Sequence, residues 1–122
     1  MDIYDFWEAT VTQNEEKMRN FFHGDAIINW HNSNERFTLD EYIKVNCDYP
    51  NDWACNIERV EYIGNLIITA THVFSKDKLF SFHAISFLKL KDDKIILIDE
   101  YWGEDGTPPE WRADMKIGKC IN

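Results

Sequence analysis

The chain has 122 residues, with 22 Asp and Glu against 13 Lys and Arg, a formal net charge of -9, and aromatic rings at 15% of positions. That length suits one domain around one core, and 5 Gly and 3 Pro are too few for a disordered or low-complexity chain. The acidic balance, with no basic run to offset it, argues against nucleic acid or any other phosphate-rich partner.

The N-terminal segment, roughly Ile3 to Phe22, reads as helix, because Ile3, Phe6, Trp7 and Val11 recur at three- and four-residue steps. Asn14 followed by Glu15 and Glu16 looks like a second start, so two short helices or one broken helix should end at His23-Gly24, with Gly as the C-cap. A strand is expected at Ala26 to Asn32, and the polar run from Asn32 to Glu35 turns the chain. Thr38-Leu39-Asp40-Glu41 is a capping box, which predicts a helix from Leu39 to about Cys47. From Trp53 the period changes. Cys55–Glu61, Leu66–Ser75, Leu79–Leu90 and Ile95–Trp102 read as strands separated by Gly64-Asn65, Lys76-Asp77-Lys78 and Lys91-Asp92-Asp93, a meander of hairpins. The expected class is α+β: helices on one face of a curved, mostly antiparallel sheet. Residues 1–122 form one domain on this reading, with 112–122 a tail.

If Lys89 and Lys94 face water, alternation turns Phe82, Ala84, Ser86, Leu88 and Leu90 inward and leaves His83, Ile85 and Phe87 outside. An apolar outer face implies a second subunit, so a homodimer through that face is expected. The longest apolar stretch, Tyr62 to Ala70, is too short to cross a bilayer. No signal peptide is visible at Met1–Asp5. Cys47, Cys55 and Cys120, odd in number and without CxxC spacing, fit reduced thiols in a cytoplasmic protein. With no His-rich cluster and no Gly-rich phosphate loop, neither a metal nor another cofactor is expected.

The order of elements resembles the NTF2-like superfamily, the cone-shaped α+β fold. The segments Ile28-Asn29-Trp30-His31-Asn32, Phe87-Leu88-Lys89-Leu90, Lys94-Ile95-Ile96 and Asp99-Glu100-Tyr101-Trp102 look most like its SnoaL-like (polyketide cyclase-like) branch. The resemblance covers nearly the whole chain, up to about Trp111-Arg112. It implies a small-molecule pocket, but the superfamily holds isomerases, cyclases, epoxide hydrolases, dehydratases and non-catalytic binders, so it leaves the reaction open. Trp30-His31-Asn32 is similar to the Tyr-x-Asn of limonene epoxide hydrolase, and Glu100 to its catalytic Asp on the last strand. That enzyme's Arg–Asp pair falls on Ala70 and His72, a departure that tells against epoxide hydrolysis by its route. Ser86 stands where ketosteroid isomerase has a proton-donating Asp.

Glu100 is the first candidate for catalysis. In a ring-walled cavity its carboxyl resists ionisation and becomes a usable acid or base near neutrality; the alternative is a solvated strand end with Asp99 inward. His72, which titrates near neutrality, is the second, against a core imidazole bonded to a carbonyl or hydroxyl. Trp30, Asn32, Ser86 and Trp102 are candidate substrate-binding residues, with Asn32 fixing a carbonyl, hydroxyl or water, or simply opening the turn. His23, His31 and His83 read as surface or interface residues. Trp111 is expected over the pocket mouth or on the partner. The expected ligand is a small apolar or aromatic molecule, and the alternative function is a non-catalytic dimeric module.

Overall fold

The computed structural model describes residues 1–122. Two short helices open the chain, α1 (Ile3–Val11) and α2 (Glu15–Asn20), each started by a side-chain cap: Asp2 accepts from Tyr4 and Asp5 N–H, and Asn14 from Lys17 N–H. Strand β1 (Phe22–Trp30) begins directly afterwards. Gly24 is therefore no helix cap. Phe21 holds the C-cap of α2, and residues 23–26 lie within a register irregularity of β1 against the sheet.

A strand that hydrophobicity does not signal, β2 (Glu35–Thr38), pairs with β1 before α3 (Leu39–Asp48) starts. Its Glu-Arg-Phe-Thr sequence has a single apolar residue because it is an exposed edge strand with only Phe37 buried. The Thr38–Glu41 capping box is formed in both directions. Four long strands follow: β3 (Trp53–Ile63), β4 (Leu66–Ser75), β5 (Ser81–Lys91) and β6 (Lys94–Glu104). The β5–β6 hairpin turns through Asp92 and Asp93, both at positive φ, which suits a two-residue turn matched to strand twist.

The class is α+β, with one open six-stranded sheet in the order β2-β1-β6-β5-β4-β3. All neighbours are antiparallel except β1 and β6. The helices pack on one face, α1 against β3 and α3 against β1. The core lies between these layers. Phe6, Trp7, Met18 and Ile43 of the helices meet Ile28, Leu88 and Ile98 of the sheet. Each such side chain contributes about 1.5–3 kcal/mol on burial. Beyond β6, α4 (Glu110–Ala113) is a single exposed turn. Trp111 is 67% exposed with the Arg112 guanidinium beside its ring, so it covers neither the pocket nor the core.

Alternation along β5 buries Ala84, Ser86 and Leu88 and exposes His83 and Ile85, as the lysine positions require. Along β4 the buried residues are Ile67, Thr69, Thr71, Val73 and Ser75, which sends Ile68, Ala70, His72 and Phe74 to the outer face.

Candidate functional site

A pocket of about 450 Å³ opens between the helices and the inner face of the sheet. The sheet supplies Trp30, Val73, Phe82, Glu100 and Trp102, and the edge of β3 supplies Trp53. Helix α3 supplies Tyr42, Val45 and Asn46, a spacing of three and four residues that puts them on one stripe, and its extended C-cap residue Tyr49 continues the wall. Helix α1 adds Trp7, Thr10 and Val11 from its own stripe. Neighbouring rings meet at large angles, Trp30 with Tyr42 at 84°, Trp30 with Trp102 at 68° and Phe82 with Trp102 at 80°, so they enclose a box rather than a stack.

Glu100 is the buried acid of that box, 3% exposed, and Asp99 points to the other face. Its two oxygens are held separately: Trp102 Nε1 donates to Oε1 at 2.8 Å and Ser86 Oγ donates to Oε2 at 2.5 Å. Burial pushes the Glu100 carboxyl above the usual glutamate range, and the donors Ser86, Trp102 and Trp30 pull against it without prevailing. No lysine, arginine or histidine pairs with it. Trp30 Nε1 is buried without a hydrogen-bond partner of good geometry. Tyr42 is the titratable group that senses Glu100: burial first, then the Glu100 charge, hold its phenol well above the ordinary value.

Trp30, Asn32, Glu100 and Trp102 all line the pocket. Asn32 stands at its mouth, where its Oδ1 accepts from Trp102 N–H at 2.8 Å and ties the β1–β2 turn to β6. Ser86 lies behind Glu100 and is not part of the lining. His72 is not brought to the site. A strand resuming at Leu79 opposite Ser75 would pair His72 with Phe82 and turn it inward. The β4–β5 loop is longer, Phe74 pairs with Ser81, and His72 falls opposite His83 on the outer face. Ala70 faces outward with it, so neither position compared with the hydrolase's Arg–Asp pair reaches Glu100.

On that outer face the His72 and His83 rings stack at 4.9 Å. His72 Nε2 meets Ser81 Oγ at 2.8 Å, and His83 bridges Asp105 at 2.5 Å and Glu58 at 3.1 Å. The Asp105 hydrogen bond raises the His83 pKa against slight burial, and Glu58 adds to it. Farther along, His31 stacks on Tyr101 and approaches Asp99 at 2.7 Å. Burial disfavours the Asp99 charge, but His31, Asn29 and Arg36 outweigh it and hold that carboxyl below the usual range. No group of three or more His, Cys, Asp or Glu side chains is arranged to hold a metal ion.

Sequence reasoning missed Trp7, Tyr42, Tyr49 and Trp53 as pocket residues. The stripe of Tyr42, Val45 and Asn46 was the available signal, since an apolar-aromatic helix face at that spacing must cover something.

No protein-family model matches the sequence, and no curated protein matches it. Solved structures do. A protein of Kribbella flavida assigned as a ketosteroid isomerase superposes at TM-score 0.81 with 18% identity, covering 98% of this chain and 87% of the other. An LEH-like epoxide hydrolase from M. tuberculosis gives TM-score 0.68 at 12% identity over 83% and 79%. A Shewanella putrefaciens protein assigned as a SnoaL-like polyketide cyclase gives TM-score 0.68 at 16% identity over 80% and 74%. The chain thus has the NTF2-like fold, shared by ketosteroid isomerase-like and SnoaL-like proteins. At these identities the likeness lies in the fold.

Proposed function

We propose that the pocket binds a small, mostly apolar molecule and that Glu100 moves a proton on it without a cofactor, as an isomerase, cyclase, hydratase or hydrolase does. The observation that carries this reading is one buried carboxyl on a wall of rings, held through both oxygens by Ser86 and Trp102. A glutamate displaced upward by burial holds its proton closer to neutrality and delivers or removes it there with less mismatch to its target. The two donors fix the carboxyl's orientation in advance, so no reorganisation is needed when the proton moves. The Trp30 N–H lies near the Glu100 carboxyl without a well-formed hydrogen bond to it and offers a donor to a ligand carbonyl, hydroxyl or water. Asn32 at the mouth steadies Trp102 and gives its remaining amide to the ligand or to water.

The test is to screen small molecules for quenching of tryptophan fluorescence, assay turnover of those that bind, and repeat with Glu100→Gln. Loss of turnover with binding retained is the expected result. Turnover unchanged in the variant removes Glu100 from the chemistry.

A second reading, a dimeric binding or scaffold module, draws on the outer sheet face. Ile85 is 39% and Tyr101 44% exposed there, and Phe87 packs its ring against Tyr101, an apolar patch of the kind that a partner covers. Pairing through that face is compatible with the enzyme reading, since the pocket opens on the other side. The three free thiols fit a reducing, cytoplasmic setting, and no helix is long and apolar enough to cross a membrane.

A further inference from the structure

The pocket has a charge preference that its apolar character hides. Seventeen residues line it, and none is Lys, Arg or His. Two are acids: Glu100 at the inner wall and Glu35, exposed and without an ion pair, at the rim. Four of the chain's five tryptophans, Trp7, Trp30, Trp53 and Trp102, share the wall with them. Buried charges in proteins are paired or held by a metal, because an unpaired ion in a low-dielectric interior is costly. The hydrogen bonds from Ser86 and Trp102 offset part of that cost for Glu100, but the chain supplies no counter-charge. Tyr42, the titratable neighbour facing it from α3, only adds to the shortage of positive charge if it ionises.

Ligand charge therefore divides sharply in this site. An anion such as a carboxylate, phosphate or coenzyme thioester would meet Glu35, and Glu100 whenever it is ionised, and find no cation to receive it. A neutral molecule gains burial and whatever hydrogen bonds Trp30 and Asn32 give it, but no charge pairing. A cation gains burial, the Coulomb attraction of Glu100 and the negative faces of indole rings, which are the best aromatic partners for a substituted ammonium.

We propose that the pocket takes a ligand carrying a protonated or quaternary amine on an apolar body, with Glu100 as its counter-charge and the tryptophans as its cage. This rests on the pocket being the binding site argued above, and it names the substrate class of that site. A free amine entering beside protonated Glu100 takes that proton, leaving carboxylate and ammonium paired, whereas a quaternary amine pairs with the carboxylate after its proton has gone to water. The chain's net charge of -9 favours the approach of such ligands and repels anions.

Shape-matched pairs that differ only in charge test it: choline against 3,3-dimethylbutan-1-ol, and acetylcholine against 3,3-dimethylbutyl acetate. Each is titrated at pH 8.5 by tryptophan fluorescence. The expected result is that the cation of each pair binds at least tenfold more tightly than its neutral isostere. In Glu100→Gln the ratio should fall severalfold, to the residual preference that the indole rings supply, and continued binding of the neutral members shows that the pocket persists. The wild-type comparison stands alone if the variant does not fold. Neutral members binding as tightly as the cations overturn the amine assignment and leave the pocket as a binding site. Saturable binding by none of the four overturns the assignment and counts against the pocket itself.

Discussion

Deleting one hydroxyl probes how the fold holds its buried acid. Ser86 is 1% exposed, and its Oγ donates to Glu100 Oε2 at 2.5 Å, so Ser86→Ala removes that hydrogen bond and very little volume. A hydrogen bond to a charged group contributes about 1.5–3 kcal/mol, and a neutral one about 0.5–1.5 kcal/mol. The sign follows from linkage. Burial raises the Glu100 value in the folded state above its ordinary 4.5, so the folded protein binds this proton more tightly than the unfolded chain does. The resulting stability is fully present below the ordinary value and is lost as pH rises through the raised one. Ser86 limits the loss, because it favours the ionised form. The variant should therefore be less stable by about 0.5–1.5 kcal/mol at pH 4 and by about 1.5–3 kcal/mol at pH 9. Urea unfolding followed by tryptophan fluorescence at both pH values measures the two deficits, with an unchanged m-value marking a native-like fold. A deficit that is equal at both, or smaller at pH 9, would refute the reasoning.

Other outcomes follow from the same geometry. Leu88→Ala, at a fully buried position on the inner face of β5, should cost about 2–5 kcal/mol in urea unfolding, whereas Ile85→Ala on the outer face should cost far less. Thr38→Ala should lower stability by about 1 kcal/mol, because α3 loses the Thr38 hydroxyl oxygen that accepts from Glu41 N–H. His72→Asn should leave ligand affinity in the pocket unchanged, since the ring stacks on His83 across the sheet from Glu100; a large loss would place His72 in the site after all. Phe87→Lys should convert a dimer to a monomer in analytical ultracentrifugation, and a wild type that sediments as a monomer at micromolar concentration would remove the outer-face pairing.

Much of this architecture is legible in residue order because local chemistry writes it directly. The Thr38–Glu41 box starts α3 where its spacing says, and Leu66–Ser75 is a strand with those bounds because Gly64-Asn65 turns the chain before it. The misreadings have physical causes of a different kind. Gly24 looks like a helix cap, but Phe22 enters the sheet beside Ile95 before the helix can use it. Glu35–Thr38 lacks strand patterning because an edge strand with one buried residue has no need of it. His72 turns outward because of the length of one hairpin loop, which residue composition does not set. Glu100 was reachable by counting along β6, but its partners were only half visible. Strand parity names Ser86 and Trp102, while Tyr42 and Trp7 reach the pocket from helices, and Tyr49 from the end of one, whose docking angle is decided by packing.

The most direct measurement is the titration of the Glu100 carboxyl itself, by carbon-13 NMR of protein labelled at glutamate side chains, with Glu100→Gln assigning the resonance. A buried acid facing the pocket without a counter-ion should titrate above 4.5, and a saturating ammonium ligand should draw it back down. A carboxyl that titrates at or below 4.5 in the free protein, or that ignores the ligand, would contradict both its burial as an unpaired acid and its place in the site.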